Sequence, residues 1–205
     1  MKNFHPTDLP LSHLLVDDDY NRIKTTLKEV QLPKGDTLMN QKEGITKAYL
    51  IKKGIIRSFV HKGEKEITFE FAREKDIVSS GYGYYFAQKG YEKYQLLEDC
   101  ILYEIDLDKM KKLYADHISI CNWARSITEY NAIRTQKRLT DLLFMTPEEH
   151  YTDLLVHDKE LLQRVPLKDI AGFIGISPIS LSRIRARITP ESLQQEYQYD
   201  SDPKV

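Results

Sequence analysis

Apolar residues recur along this chain with two different periods. Up to about Asp106 they alternate with polar residues or run in short blocks between glycines, and beyond Leu107 they step by three and four. The first texture predicts strands and the second predicts helices. Asp17, Asp18 and Asp19 stand ahead of Tyr20, Ile23 and Leu27, the pattern of a short capped helix leading into the first sheet segment. Turn signals follow at Pro33-Lys34-Gly35, Glu43-Gly44, Lys53-Gly54 and His61-Lys62-Gly63. Their spacing of about nine or ten residues is the rhythm of an antiparallel sandwich or barrel. Between them Tyr49–Ile51 and Ile55–Val60 read as strands. From Glu66 to Phe71 the alternation is strict, which predicts Ile67, Phe69 and Phe71 in the core and Glu66, Thr68 and Glu70 in water. Asp76–Tyr94 interrupts the rhythm with glycines and aromatics, readable as a ligand-contacting loop or as local packing. Ile101–Asp106 returns to strand.

Past that point no glycine occurs until Gly172, and a long helix is expected from about Asp116 to Met145, stopped by Thr146-Pro147. Ile120, Trp123, Ile127 and Tyr130 form a seam along it. We read this as a dimer interface; the alternative is that the stripe covers the chain's own β-domain. Glu148–Gln163 predicts another helix. Arg164–Ile188 then reads as two short amphipathic helices around a glycine turn, a helix-turn-helix. Leu167, Ile170, Ala171 and Ile174 make one apolar stripe, Gly175 supplies the reversal, Ser177 caps the next helix and Pro178 opens it. On that second helix Leu181, Ile184 and Ile188 share a face, opposite Ile179, Ser182, Arg183 and Ala186. Thr189–Val205 has no apolar periodicity and is expected to fray.

Charge sharpens the picture. The whole chain of 205 residues carries a formal charge of −1, yet Gln163–Ile188 holds Arg164, Lys168, Arg183, Arg185 and Arg187 against Asp169 alone. A basic helix face on a near-neutral chain is the footprint of a duplex-DNA reader. Composition, with 41% hydrophobic and 30% charged residues, is that of a globular protein. No apolar run has signal-peptide or membrane-span length, so a cytoplasmic chain is expected. Cys100 and Cys121 give no disulfide framework. The β region contains only His61, without the clustered histidines of a metal-dependent β-roll enzyme, and no phosphate loop or nucleophile elbow occurs. No catalysis and no metal are assigned.

A β-roll with glycine-marked turns, a long helix and a terminal helix-turn-helix, in that order, resembles the cyclic-AMP receptor protein and fumarate–nitrate regulator (CRP/FNR) superfamily of bacterial transcription factors. The most specific stretch is MTPEEHYTDLLVHDKELLQRVPLKDIAGFIGISPISLSRIRARI, which looks like the branch common in Bacteroidetes-type bacteria. The resemblance implies an α+β fold: an N-terminal double-stranded β-helix (jelly roll) of the cyclic-nucleotide-binding type at 1–115, a dimerisation helix at 116–146, and a winged-helix-like helix-turn-helix domain at 147–205. It implies a homodimer on double-stranded DNA, with RNA polymerase as a further candidate partner. Carried over by position, the base-reading arginine and glutamate of the founding member become Pro178 and Ile179, while Arg183 is retained. Arg183 is thus expected on a guanine, with Lys168, Ser177, Ser180, Ser182 and Arg187 on phosphates or secondary contacts and Ile179 against a thymine methyl. The family's nucleotide site needs a glutamate for the ribose and an Arg-Ser pair for the phosphate; Ser80 and Gly90-Tyr91 stand there instead, and no arginine lies between Arg73 and Arg125. Cyclic AMP is not expected to bind, no cofactor is assigned, and an unknown effector is expected at Ser80, Tyr82, Tyr84 and Tyr91. The competing reading is a small-molecule sensing module or interaction protein whose DNA-reading face has degenerated.

Overall fold

Strands and helices follow the two periods of the sequence, with informative departures. The computed structural model describes residues 4–38, 46–63, 65–80 and 90–188. The predicted turn at Glu43-Gly44 and the tail beyond Ile188 lie outside them. The chain divides into two compact units, Met1–Gln136 and Lys137–Val205. The division falls inside the long helix, which the sequence reading set apart as a segment of its own.

In the first unit α1 (Asp17–Lys24) carries three acids in its first turn, matched to the positive end of the helix dipole. Among the described residues eight strands follow: β1 (Leu27–Leu32), β2 (Thr37–Leu38), β3 (Lys47–Lys53), β4 (Ile56–Lys62), β5 (Lys65–Ala72), β6 (Ile77–Ser79), β7 (Lys93–Leu96) and β8 (Cys100–Asp106). They form two four-stranded sheets, ordered β1-β8-β3-β6 and β2-β7-β4-β5, with antiparallel pairings. The chain passes back and forth between the sheets, as a jelly roll requires. At the β3–β4 corner Gly54 has φ +120°, and a Cβ there would stand 2.3 Å from Cys100 Sγ. Only glycine meets both conditions.

The first sheet is buried on both faces, which is why Ala48-Tyr49-Leu50-Ile51 reads as a continuous apolar block. Tyr49, Ile51, Val78, Cys100 and Leu102 pack against Leu38, Ile56, Ala72, Tyr94 and Leu96 of the second sheet. Ala48, Leu50, Tyr103 and Ile105 point the other way, onto Phe4, Leu9, Ile23, Met110, Ile120, Trp123 and Ile127. The last three come from α3 (Ile118–Phe144), which follows α2 (Leu107–Asp116), a helix the sequence reading did not predict. This corrects the assignment of the dimer seam. Ile120, Trp123 and Ile127 are core residues of their own unit, because the outer face of the first sheet needs an apolar cover; Trp123 Nε1 also donates to the Pro10 carbonyl at 2.8 Å. Of the four residues assigned to the interface, only Tyr130 is exposed, at 54%.

The alternation over Glu66–Phe71 is corrected too. Thr68 is buried, and Ile67 and Phe69 are exposed. The register slips between Ser58 and Phe59, so Ser58 pairs with Glu70 but Phe59 pairs with Thr68, leaving Phe69 unmatched. A bulge of this kind exchanges the faces of everything beyond it.

The second unit is helical among its described residues. The expected helix over Glu148–Gln163 is two helices, α4 (Pro147–His157) and α5 (Lys159–Arg164). Asp158 ends the first and caps the second, its Oδ1 accepting from the Leu161 amide. α4 opens on a capping box: Thr146 Oγ1 accepts from the Glu149 amide and Glu149 Oε2 from the Thr146 amide at 2.6 Å. Those bonds hold the Glu149 carboxyl below its usual pKa. α6 (Leu167–Ile174) and α7 (Pro178–Arg187) complete the unit. No strand occurs among its described residues; those after α7, where a wing would lie, are outside them.

Candidate nucleic-acid interface

The two helices assigned to DNA reading form as the sequence predicts. Ile170, Ala171 and Ile174 of α6 are buried, as are Leu181 and Ile184 of α7. Between them Gly175 adopts φ +89°, and its amide and that of Ile176 donate back to the Ala171 carbonyl at 2.9 and 3.0 Å. Ser177 Oγ caps α7 by accepting from the Ser180 amide at 3.1 Å. Pro178 follows, where its missing N–H costs nothing.

This scaffold leaves one long side of α7 in solvent. Ser177, Ile179, Ser180, Ser182, Arg183, Arg185 and Arg187 are exposed, as is Lys168 on α6. Lys168, Arg183 and Arg185 make no ion pair among the described residues, so their charges face water. Arg187 differs: its Nη2 lies 3.0 Å from Glu148 Oε2, where α4 begins. Both side chains are exposed, so the pair contributes little to stability, but it holds the guanidinium beside a carboxylate. Sequence reasoning missed Glu148, since nothing in the spacing brings residues 148 and 187 together. Ile179 is 68% exposed at the front of α7. A shallow groove of about 560 Å³ runs beside Arg183 and Arg187, floored by Ile176 and Ile184. Fixed donors and cations along one helix, over a dry interior, can bind a polyanion and place one guanidinium against a base edge.

The residues assigned to an effector behave differently. Tyr82 and Tyr84 lie outside the described residues. Tyr91 is 70% exposed, whereas Ser80 is buried and donates to Glu92 Oε1 at 2.8 Å. Tyr94 donates to the Ser79 carbonyl at 3.0 Å and lies 3.3 Å from the same Glu92 oxygen. Burial, followed by the Glu92 and Glu70 charges, raises the Tyr94 phenol well above its ordinary range. Neither Glu92 nor Tyr94 was singled out from sequence. The buried guanidinium of the roll, Arg57, is held by Glu66 at 2.7 Å and Gln95 at 2.9 Å and stacks on Phe59. A cyclic phosphate needs unsatisfied donors and a cation. Among the described residues Ser80 and Tyr94 already spend their hydroxyl donors, on Glu92 and on the Ser79 carbonyl.

At the edge of the roll, Arg134 of α3 bridges to Asp76 at 2.6 Å. Burial raises the nearby Glu70 carboxyl above its usual range, and Arg134 partly offsets that. Burial likewise pushes the Cys100 thiol up to about 11, so it stays protonated and inert at neutral pH. Among the described residues no group of His, Cys, Asp and Glu is arranged to hold a metal, and no helix is long and apolar enough to cross a membrane.

Residues 29–117 match the cyclic nucleotide-binding domain family. No curated protein matches the sequence. Among solved structures the chain is similar to FixK2 from Bradyrhizobium japonicum, with a TM-score of 0.68 at 14% identity, covering 87% of this chain and 99% of that one. A protein from Eubacterium rectale described as a transcriptional regulator of the Crp/Fnr family gives 0.67 at 16% identity, covering 93% and 88%. The c-di-GMP-responsive global regulator CLP of Xanthomonas campestris gives 0.58 at 15%, covering 88% and 93%. At such identities the likeness establishes a shared fold.

Proposed function

We propose that this chain is a homodimeric, sequence-specific DNA-binding regulator of transcription, built like the CRP/FNR proteins, whose roll does not answer to cyclic AMP. The observation that carries this reading is the solvent-facing side of α7, where Arg183 and Arg185 make no ion pair among the described residues, on a capped helix anchored by Leu181 and Ile184 in a near-neutral chain. Arg183 forks onto a guanine, while Lys168, Ser177, Ser180 and Ser182 hold phosphates and Ile179 touches a thymine methyl. Arg187 reaches phosphate in competition with Glu148. The dimer seam shifts around α3 to Tyr130, Ile133, Lys137, Thr140 and Phe144, which step by three and four; Tyr130, Ile133 and Phe144 among them are exposed apolar residues. Two copies would then face half-sites about one DNA turn apart, about 34–36 Å. RNA polymerase is the machinery such a regulator addresses.

The test is selection from a randomised duplex library by the purified full chain without effector, at two salt concentrations. A palindrome that survives the higher salt supports the reading; binding that only fades with salt reflects phosphate attraction alone. The exposure of Ile179 favours the second reading, an interaction protein with a decayed reading face, and absence of any enriched motif would support it.

A further inference from the structure

Arg138 lies on α3 within the second unit, and its guanidinium is wedged among other helices of that unit. Its Nη2 donates to the Phe173 carbonyl of α6, and the guanidinium stacks 3.6 Å from the Phe173 ring. Its Nη1 lies 3.4 Å from Nε2 of His150 on α4. The Phe173 carbonyl belongs to the last turn of α6, where a helix supplies no amide of its own and carries the negative end of its dipole. Arg138 therefore caps α6 from another helix. The capped end is the one that Gly175 turns into α7, so whatever holds Phe173 also fixes where the exposed helix begins.

The contact with His150 depends on charge. His150 is buried, and for Arg138 to donate to Nε2 the ring must be neutral with its lone pair on that nitrogen. A protonated ring would place a second cation against the guanidinium in a desolvated site. Lys137 on α3 adds to the repulsion, while Asp141 on α3 and Asp153 on α4 partly offset it. Phe173, the contact from α6, contributes only its ring and its carbonyl. Arg138 has nothing in reserve: its buried Nε–H has no acceptor among the described residues.

We propose that Arg138 is the positioning residue of the helix pair: with His150 neutral it latches the carbonyl end of α6, and protonation of His150 releases the latch and weakens DNA binding. Burial and the Arg138 charge both hold His150 below its ordinary value near 6.5, and burial pushes Arg138 down to about 10, still charged at neutral pH. The inference rests on the DNA-reading function only for its consequence; the latch itself is measurable without DNA.

The experiment uses the full chain, wild type and with Arg138→Gln, Arg138→Lys or His150→Gln, in two arms. By NMR the His150 ring should titrate below its ordinary value in wild type and move upward in Arg138→Gln, where the cation is gone. Amide protection at the α6 end, taken relative to the intrinsic exchange rate at each pH, should fall in wild type as pH drops through that titration, and stay unchanged with pH in His150→Gln, whose side chain accepts a hydrogen bond but takes no proton. On the selected duplex, wild-type affinity should fall by up to about tenfold per pH unit below the titration point, the limit for one linked proton. His150→Gln should remove that dependence, and Arg138→Lys, charged but without the planar fork, should recover only part of the affinity. A His150 titration unmoved by Arg138→Gln, or the same pH profile in His150→Gln as in wild type, would overturn the latch. If no duplex is bound at any pH, the DNA reading fails while the NMR arm still decides the latch.

Discussion

Ile179 and Arg183 stand about one helical turn apart on the same exposed face of α7. Both were legible from the sequence, because helical period alone puts them opposite Leu181 and Ile184, and the structure exposes them. What spacing could not show is partnership. Arg187 is expected from sequence on a phosphate or secondary contact, yet a residue 39 positions earlier in the chain holds it. Ser80 and its carboxylate partner Glu92 stand 12 positions apart, and no local signal joins them. Arg183→Ala is expected to cost about 1–3 kcal/mol on the cognate duplex and to relax one base position, measured by anisotropy against single-base variants. Arg187→Ala should cost less, since breaking its pair with Glu148 offsets part of any phosphate contact. Gly54→Ala should destabilise by at least about 1 kcal/mol in denaturant titrations, from the positive φ and the clash with Cys100 together.

Among the elements, helices with caps were the most readable. Thr146-Pro147, Ser177-Pro178 and Gly175 each carry a local signal, and each marks a boundary in the structure. Thr146→Ala should cost about 1 kcal/mol through loss of the capping box, read from thermal unfolding. The α3 stripe shows where local signals stop. An apolar seam stepping by three and four looks the same whether its partner is another chain or the chain's own sheet, and only the tertiary fold decides. Trp123→Ala should therefore destabilise the first unit, by about 3–5 kcal/mol, rather than yield a folded monomer. Ile133→Glu should do the reverse, giving a folded monomer by sedimentation. The bulge in β4–β5 was equally hidden, because a strict alternation in sequence carries no mark of a slipped partner strand.

For the whole molecule, the order of roll, long helix and helix pair was visible from the change of period and the loss of glycine. The two-sided burial of the first sheet and the division of the chain within α3 were not, since both depend on residues far apart in sequence. His150 titrates below its ordinary value in the folded chain, so the unfolded chain takes up that proton first as pH falls. The second unit should accordingly be most stable above about pH 6.5 and lose stability as pH drops through the folded His150 titration, a loss that His150→Gln abolishes in pH-resolved unfolding. Titration with cyclic AMP in a calorimeter should give no binding heat, because no arginine between Arg73 and Arg125 is there to meet the phosphate. The most direct test of the central claim is the salt dependence of affinity for the selected palindrome and for a scrambled duplex, without nucleotide, for wild type and Arg183→Ala. Sequence-specific reading predicts a wild-type preference for the palindrome that persists at high salt, is unchanged by cyclic AMP and shrinks in Arg183→Ala. Equal affinities for both duplexes, falling together with salt, would contradict it.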